Sequence, residues 1–176
     1  MNKQFPIGKL SYSPDHSPED REQWIDDIAL LPGRIRDEIE GCSDDILLTP
    51  YRKDGWTVRE VIEHLADSHM NTVIRLKSAL AEDHPTIRPY DQSAWAVATG
   101  KIGLPLEFTL EFLEYIHEYM VRIFESLDED QWQRTFYHPE SEKSYTIDEV
   151  AALYAWHSNH HLAHIRLVTD GKSSSS

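Results

Sequence analysis

The chain has one cysteine, Cys42, among 176 residues. A single thiol excludes an internal disulfide framework and any cysteine-rich zinc site, so a metal bound here would be held by nitrogen and oxygen. Long apolar runs are also missing. No stretch approaches the ~18 residues of a membrane span, and the start, Met1-Asn2-Lys3-Gln4-Phe5-Pro6, lacks the apolar segment of a secretory leader. Basic residues are scarce: 17 Lys plus Arg against 31 Asp plus Glu give a net charge of −14. An acidic surface without a basic patch repels phosphate backbones, so neither nucleic acid nor membrane is expected as a partner. A cytoplasmic location is the corresponding expectation.

What the chain does have is histidine, ten in all, with four inside Ala155-Trp156-His157-Ser158-Asn159-His160-His161-Leu162-Ala163-His164-Ile165. In a helix each residue advances about 100°. With His157 at zero, His161 falls at about +40°, His164 at about −20° and His160 at about −60°. Ile147, Val150, Tyr154, Ile165 and Val168 occupy about +20° to +80° on the same wheel, so the histidines share the apolar side. His157 and His161 project from the middle of that arc, and His160 and His164 lie toward its margin. A pair at i and i+4 can share one metal ion. The Glu of H-E-x-x-H is absent, which removes the zinc-peptidase reading. A hydrogen-bonded polar core, or a contact sensitive to pH, would use the same residues.

Capping signals place the helices. Ser17-Pro18-Glu19-Asp20 opens a first helix with the stripe Trp24, Ile28, Leu31, Ile35 and Ile39, ended by Gly41, with Pro32 as a potential kink. After a short segment at 44–47, Thr57-x-x-Glu60 is a capping box opening a second long helix to about Glu82, which carries His64 and His69. Residues 83–104 hold Pro85, Pro89, Gly100 and Gly103 without a sustained period, and predict a long crossover. Pro105 opens a third helix with Leu106, Leu110, Leu113, His117, Met120, Val121, Phe124 and Leu127 on one face. Segments 134–137 and 143–145 could pair as a hairpin, and Thr146-x-x-Glu149, a second capping box, opens the fourth helix, which stops at Gly171. The expected fold is all-α: a single-domain four-helix bundle over 1–176 with long crossover connections, an extended arm at 1–16 and a disordered tail at 172–176.

A third ligand must come from another helix. On the second helix the apolar centre lies near His69, with His64 about 140° away, so burial favours His69, while solvent access to a catalytic metal would suit His64 at the margin. Tyr51, Arg52, Tyr90, Tyr137 and His138 fall in expected loops, where substrate contacts and loop anchors both concentrate.

Several stretches together resemble the DinB/YfiT-like metalloprotein family, in particular its YfiT branch, over nearly the whole chain. They are Phe5-Pro6-Ile7-Gly8, Thr49-Pro50-Tyr51-Arg52, Gly55-Trp56-Thr57-Val58-Arg59, His64-Leu65-Ala66-Asp67-Ser68-His69-Met70-Asn71, Arg88-Pro89-Tyr90-Asp91, Phe136-Tyr137-His138-Pro139, and Tyr154 through Ile165. The resemblance implies a four-helix bundle with a crossover, a homodimer, and one divalent ion per subunit, zinc or nickel, held by three histidines. By position these are His64, eight residues after Trp56, with His157 and His161. His69 is then a reserve ligand or an outer partner, and His160, His164 and Asp67 are candidates to orient the ligands or move a proton. The implied activity is that of a metal-dependent hydrolase acting on a small molecule, or a transferase moving a low-molecular-weight thiol of the bacillithiol type onto small electrophiles. A non-catalytic, metal-stabilised bundle or ligand-binding module is the alternative.

Overall fold

The structure is a computed structural model, and it describes residues 2–170. Four long helices run as α1 (Pro18–Ile39), α3 (Val58–Ala81), α5 (Leu106–Glu125) and α7 (Ile147–Thr169). Shorter elements lie between them: α2 (Asp44–Leu47), α4 (Gln92–Ile102), α6 (Glu129–Trp132), and the strands β1 (Thr135–His138) and β2 (Lys143–Thr146).

The helix starts follow the side chains that cap them. Ser17 and Asp20, and Thr57 and Glu60, form reciprocal capping boxes, each satisfying two otherwise orphaned N–H groups. Thr146 accepts from the Glu149 N–H, but Glu149 does not return the bond; its carboxylate pairs with Lys143. Pro32 sits buried inside α1 without ending it. Gly171 and the 172–176 segment lie outside the described residues.

Helix α1 packs on α7 and α5, and α3 packs on the same two helices. Going round the bundle the order is therefore α1, α7, α3, α5, with α1 opposite α3 and α5 opposite α7. The diagonal crossings are the α1-to-α3 and α5-to-α7 connections. This corrects the expectation for residues 83–104, because α3 and α5 are neighbours and that segment does not cross the body. Its length is taken up by α4, which packs on α3. Asp91 caps α4 at the start by accepting from the Ala94 N–H, and Gly103 ends it at a φ of 67°, a left-handed conformation that glycine adopts without a Cβ clash.

The hairpin pairs Thr135 with Thr146 through His138 with Lys143. Residues 85–87 run beside it: the Tyr137 N–H donates to the Pro85 carbonyl at 2.9 Å and the Ile87 N–H to the Tyr137 carbonyl at 3.0 Å. The core has two apolar clusters. One gathers Ile28, Leu76, Met120, Phe124, Phe136, Ile147 and Val150, and the other Leu31, Ile35, Val61, Ile62, Leu65, Leu113, Leu162 and Ile165. Buried histidines lie between them along the helices, in positions that apolar burial alone would fill with carbon.

The N-terminal arm is pinned to the start of α7. Asp148, 1% exposed, accepts from Arg21 Nε at 2.6 Å and Tyr12 Oη at 2.8 Å, and meets His16 Nε2 at 2.5 Å. A buried carboxylate needs such partners, since an unpaired charge there would be strongly destabilising. Burial and the neighbouring Asp148 raise the Tyr12 hydroxyl pKa to about 12. Further along the arm, Phe5 lies with its ring 5.9 Å from that of His160.

Candidate metal centre

Helix α7 brings its four histidines to one side, and α3 meets them with two more. Nitrogen atoms of His64, His157 and His161 all lie within 4.8 Å of one another. His64 Nε2 stands 3.3 Å from His157 Nε2. Two imidazole ligands at about 2.05 Å from a tetrahedral ion would stand about 3.3 Å apart. The observed spacing is therefore that of a pair able to share an ion.

The outer contacts fix how one of these rings presents itself. His117 Nδ1 lies 2.5 Å from the Ile28 carbonyl oxygen, which can only accept, so this nitrogen carries the proton. His117 Nε2 is then an acceptor for His69 Nδ1–H at 2.7 Å. His69 Nε2 in turn accepts from His157 Nδ1–H at 3.1 Å. His157 Nε2 is left with a bare lone pair aimed at His64. This chain starts in α1 and passes through α5 and α3 to α7. The donor set fits a divalent ion because neutral imidazole nitrogens are what such an ion binds, and a ligand's second N–H is held by an outer acceptor.

All of these rings are kept neutral. Burial, and next repulsion from His164 were both rings to be protonated, push His64 down to about 4. Burial takes His117 to about 4 against the opposing pull of the Ile28 carbonyl. His69, His157 and His161 fall well below the ordinary histidine value, first through burial and then through the other histidines.

The wheel placed His64, His160 and His164 at margins, but they are 4%, 6% and 2% exposed. Aromatic rings cover them, Trp156 from α7 itself and the others from segments outside the helices. The Trp56 ring lies 4.5 Å from His64, Tyr51 stacks on His164 at 4.0 Å, and Trp156 stacks on His160 at 4.5 Å, with Phe5 beyond. His69 is fully buried, as the wheel indicated, and it contacts His157 from behind. His164 Nδ1 lies 3.3 Å from His161 Nδ1, which leaves His161 Nε2 for the cluster. Asp67 is not brought to the histidines: it accepts from Thr99 of α4 at 3.3 Å, and burial raises its pKa.

A cavity of about 200 Å³ opens beside His157, lined by Ser68, Arg75, His138, Tyr145 and Tyr154 among others. His138, expected in a loop, belongs to β1 and lines this cavity. Tyr90 lines a neighbouring cleft that also reaches Arg75. Tyr51 and Arg52 lie at the other end of the cluster, with Arg52 over the Tyr51 ring, and Tyr137 serves the 85–87 segment through its backbone. Sequence reasoning missed Arg75 and the role of His117. Both leave a trace: Arg75 lies about 20° from His64 on the α3 wheel, and His117 is the polar member of the α5 stripe.

Comparison with known proteins gives a consistent set of relatives. A family model for the DinB superfamily matches residues 27–165. A Bacillus subtilis protein named "Putative metal-dependent hydrolase YfiT" is 39% identical over 165 residues, 94% of this chain and 93% of its own length. "Putative metal-dependent hydrolase OB0782" of Oceanobacillus iheyensis is 41% identical, covering 94% and 95% of the two chains. The solved structure of YfiT from Bacillus subtilis, described as "a probable metal-dependent hydrolase with an unusual four-helix bundle topology", superposes with a TM-score of 0.93 at 37% identity, over 99% of this chain and 100% of the other.

The neutral histidines make a pH prediction. Unfolding releases them to bind protons near pH 6.5, whereas in the folded chain His64 and His117 resist protonation until about pH 4. Between those values the unfolded state holds more protons, so stability falls as pH is lowered, by about 1.4 kcal/mol per pH unit for each such histidine. Urea titrations of chelator-treated protein from pH 8 to 4 should show a stability plateau above about 7 and a steep decline below about 6.5. A flat profile through that window would contradict a buried neutral cluster.

Proposed function

This chain belongs to the DinB superfamily, and on that premise we propose that it is a metal-dependent hydrolase whose ion is held by His64, His157 and His161. The observation that carries the reading is the 3.3 Å approach of His64 Nε2 to His157 Nε2, with His161 completing the set and an acceptor chain holding the His157 proton on Nδ1. The names of the relatives support the same class of activity.

Imidazole suits both zinc and nickel, and one such ion per chain is proposed. An ion bound by three neutral histidines supplies a Lewis acid with a position left for water or a thiol, lowering the pKa of either. Hydrolysis is the first activity, and transfer of a small thiol onto an electrophile is a second use of the same position. The protein's own part is to hold and orient. His69 keeps the His157 ring and its proton in place, His164 does the same for His161, and Trp56 and Tyr51 shield the cluster from bulk water. The cavity beside His157 gives a small substrate its approach, which favours a catalytic centre over a purely structural ion.

A homodimer is part of the proposal. Phe108, Phe112, Tyr115 and Tyr119 lie within about 60° of one another on α5 and are 37–76% exposed, an apolar stripe of the kind that marks a contact between chains.

Protein purified without metal-affinity resin tests both halves. Elemental analysis should find close to one zinc or nickel ion per chain, lost in His64→Ala, His157→Ala and His161→Ala. His69→Ala should keep the site but bind about 10–100-fold more weakly, as for loss of an outer partner. A His157→Ala variant that retains a full equivalent would overturn the ligand assignment. Sedimentation equilibrium of the same samples should give two chains per particle, and a monomer would remove the dimer.

A further inference from the structure

In a chain of net charge −14, arginines find carboxylates easily. Arg21, Arg34, Arg36, Arg59, Arg122 and Arg166 each pair with one. Arg134 and Arg52 donate to backbone carbonyls. Arg75 does neither. Among the described residues it forms no ion pair, and its Nε is buried without a hydrogen-bond partner.

Its position is informative. Arg75 lines the cavity beside His157 and also the adjoining cleft of about 590 Å³ roofed by residues 86–91. Tyr90 lines that cleft too, with its buried hydroxyl beside Ser68. A native chain leaves few buried donors unmatched, and a charged one is the most costly to leave so. An unmatched charged donor lining two adjoining cavities is a built place for an acceptor.

The acceptor's chemistry follows from the rest of the lining. Around the smaller cavity the other polar groups include the neutral Ser68, Gln92 and Tyr154, and the walls include Phe136, Val150 and Leu153. One planar guanidinium with neutral donors matches one planar carboxylate, which it can hold through two parallel hydrogen bonds. Arg88 lines the adjoining cleft but not this cavity, so a phosphate dianion seated here would meet Arg75 alone inside an acidic protein. The apolar walls suit a hydrocarbon body.

We propose that Arg75 is the anchor for a substrate carboxylate, so that the substrate is a small carboxylate-bearing molecule seated in the cavity beside His157. That its reacting end faces His64, His157 and His161 rests on the metal-site reading; the anchor itself does not.

Benzoate and its neutral isostere benzamide are the probes, titrated by calorimetry into metal-loaded wild type, Arg75→Gln, Arg75→Lys and His64→Ala, with thermal unfolding confirming that each variant folds. Benzoate should bind wild type about tenfold or more tighter than benzamide, as expected for a hydrogen bond to a charged group. Arg75→Gln should abolish the preference while leaving benzamide binding unchanged, Arg75→Lys should keep part of it, and His64→Ala should keep it whole. Equal binding of the two probes, no binding of benzoate, or a preference that survives Arg75→Gln would overturn the anchor. So would displacement of benzoate by lower concentrations of inorganic phosphate. A preference lost in His64→Ala would assign the carboxylate to the metal instead, and also overturn the anchor. Wild type that holds no metal yet shows the Arg75-dependent preference would uphold the anchor and remove the metal reading.

Discussion

A single backbone carbonyl, that of Ile28, sets the polarity of the protein's interior. Because it can only accept, it fixes the proton of His117, and the constraint passes through His69 to His157. The consequence is a lone pair at His157 Nε2 directed at His64. Each bond of this chain joins a different pair of the four long helices, so the packing of the bundle and the chemistry of its site depend on the same contacts. Leaving any one of these buried nitrogens unmatched would cost the desolvation of a polar group.

The surroundings are arranged to keep that interior neutral and dry. Two apolar clusters bracket the histidines along the bundle, and aromatic rings from the non-helical segments close over the ends. The acidic surface lies outside this shell, and most of the arginines pair with carboxylates. Against that pattern an arginine left unanswered next to the histidine cluster is an exception, and exceptions of this kind gather where a ligand completes the structure.

Much of the framework was legible in the residues. Capping boxes at Ser17 and Thr57 and the Thr146 cap located three of the four long helices, and the stripe after Pro105 located the other. Helix α4 was not legible because its run from Gln92 to Ile102 is weakly amphipathic and largely exposed, and only Asp91 and Gly103 announce it. Nor could the sequence say which connection crosses the bundle, since length alone does not distinguish a diagonal crossing from a detour through a short helix. At the site, spacing singled out His157 and His161. It misjudged the burial of His64 and His164, because a helical wheel sees one helix and not the Trp56 and Tyr51 side chains that fold over it. The His64 or His69 question also had no answer within α3 alone: both are buried, and what separates them is that His69 is occupied at both nitrogens by other histidines.

The account stands most directly on the protonation of three rings. Nitrogen-15 correlation spectra of histidine-labelled, zinc-loaded protein, assigned by single substitutions, report the tautomer of each. His117, His69 and His157 should all carry their proton on Nδ1, protected from exchange, with the Nε2 of His157 shifted by the metal. A proton on Nε2 of His69 or His157 would contradict the chain of acceptors from Ile28, and with it the reason this bundle presents a ready donor to an ion.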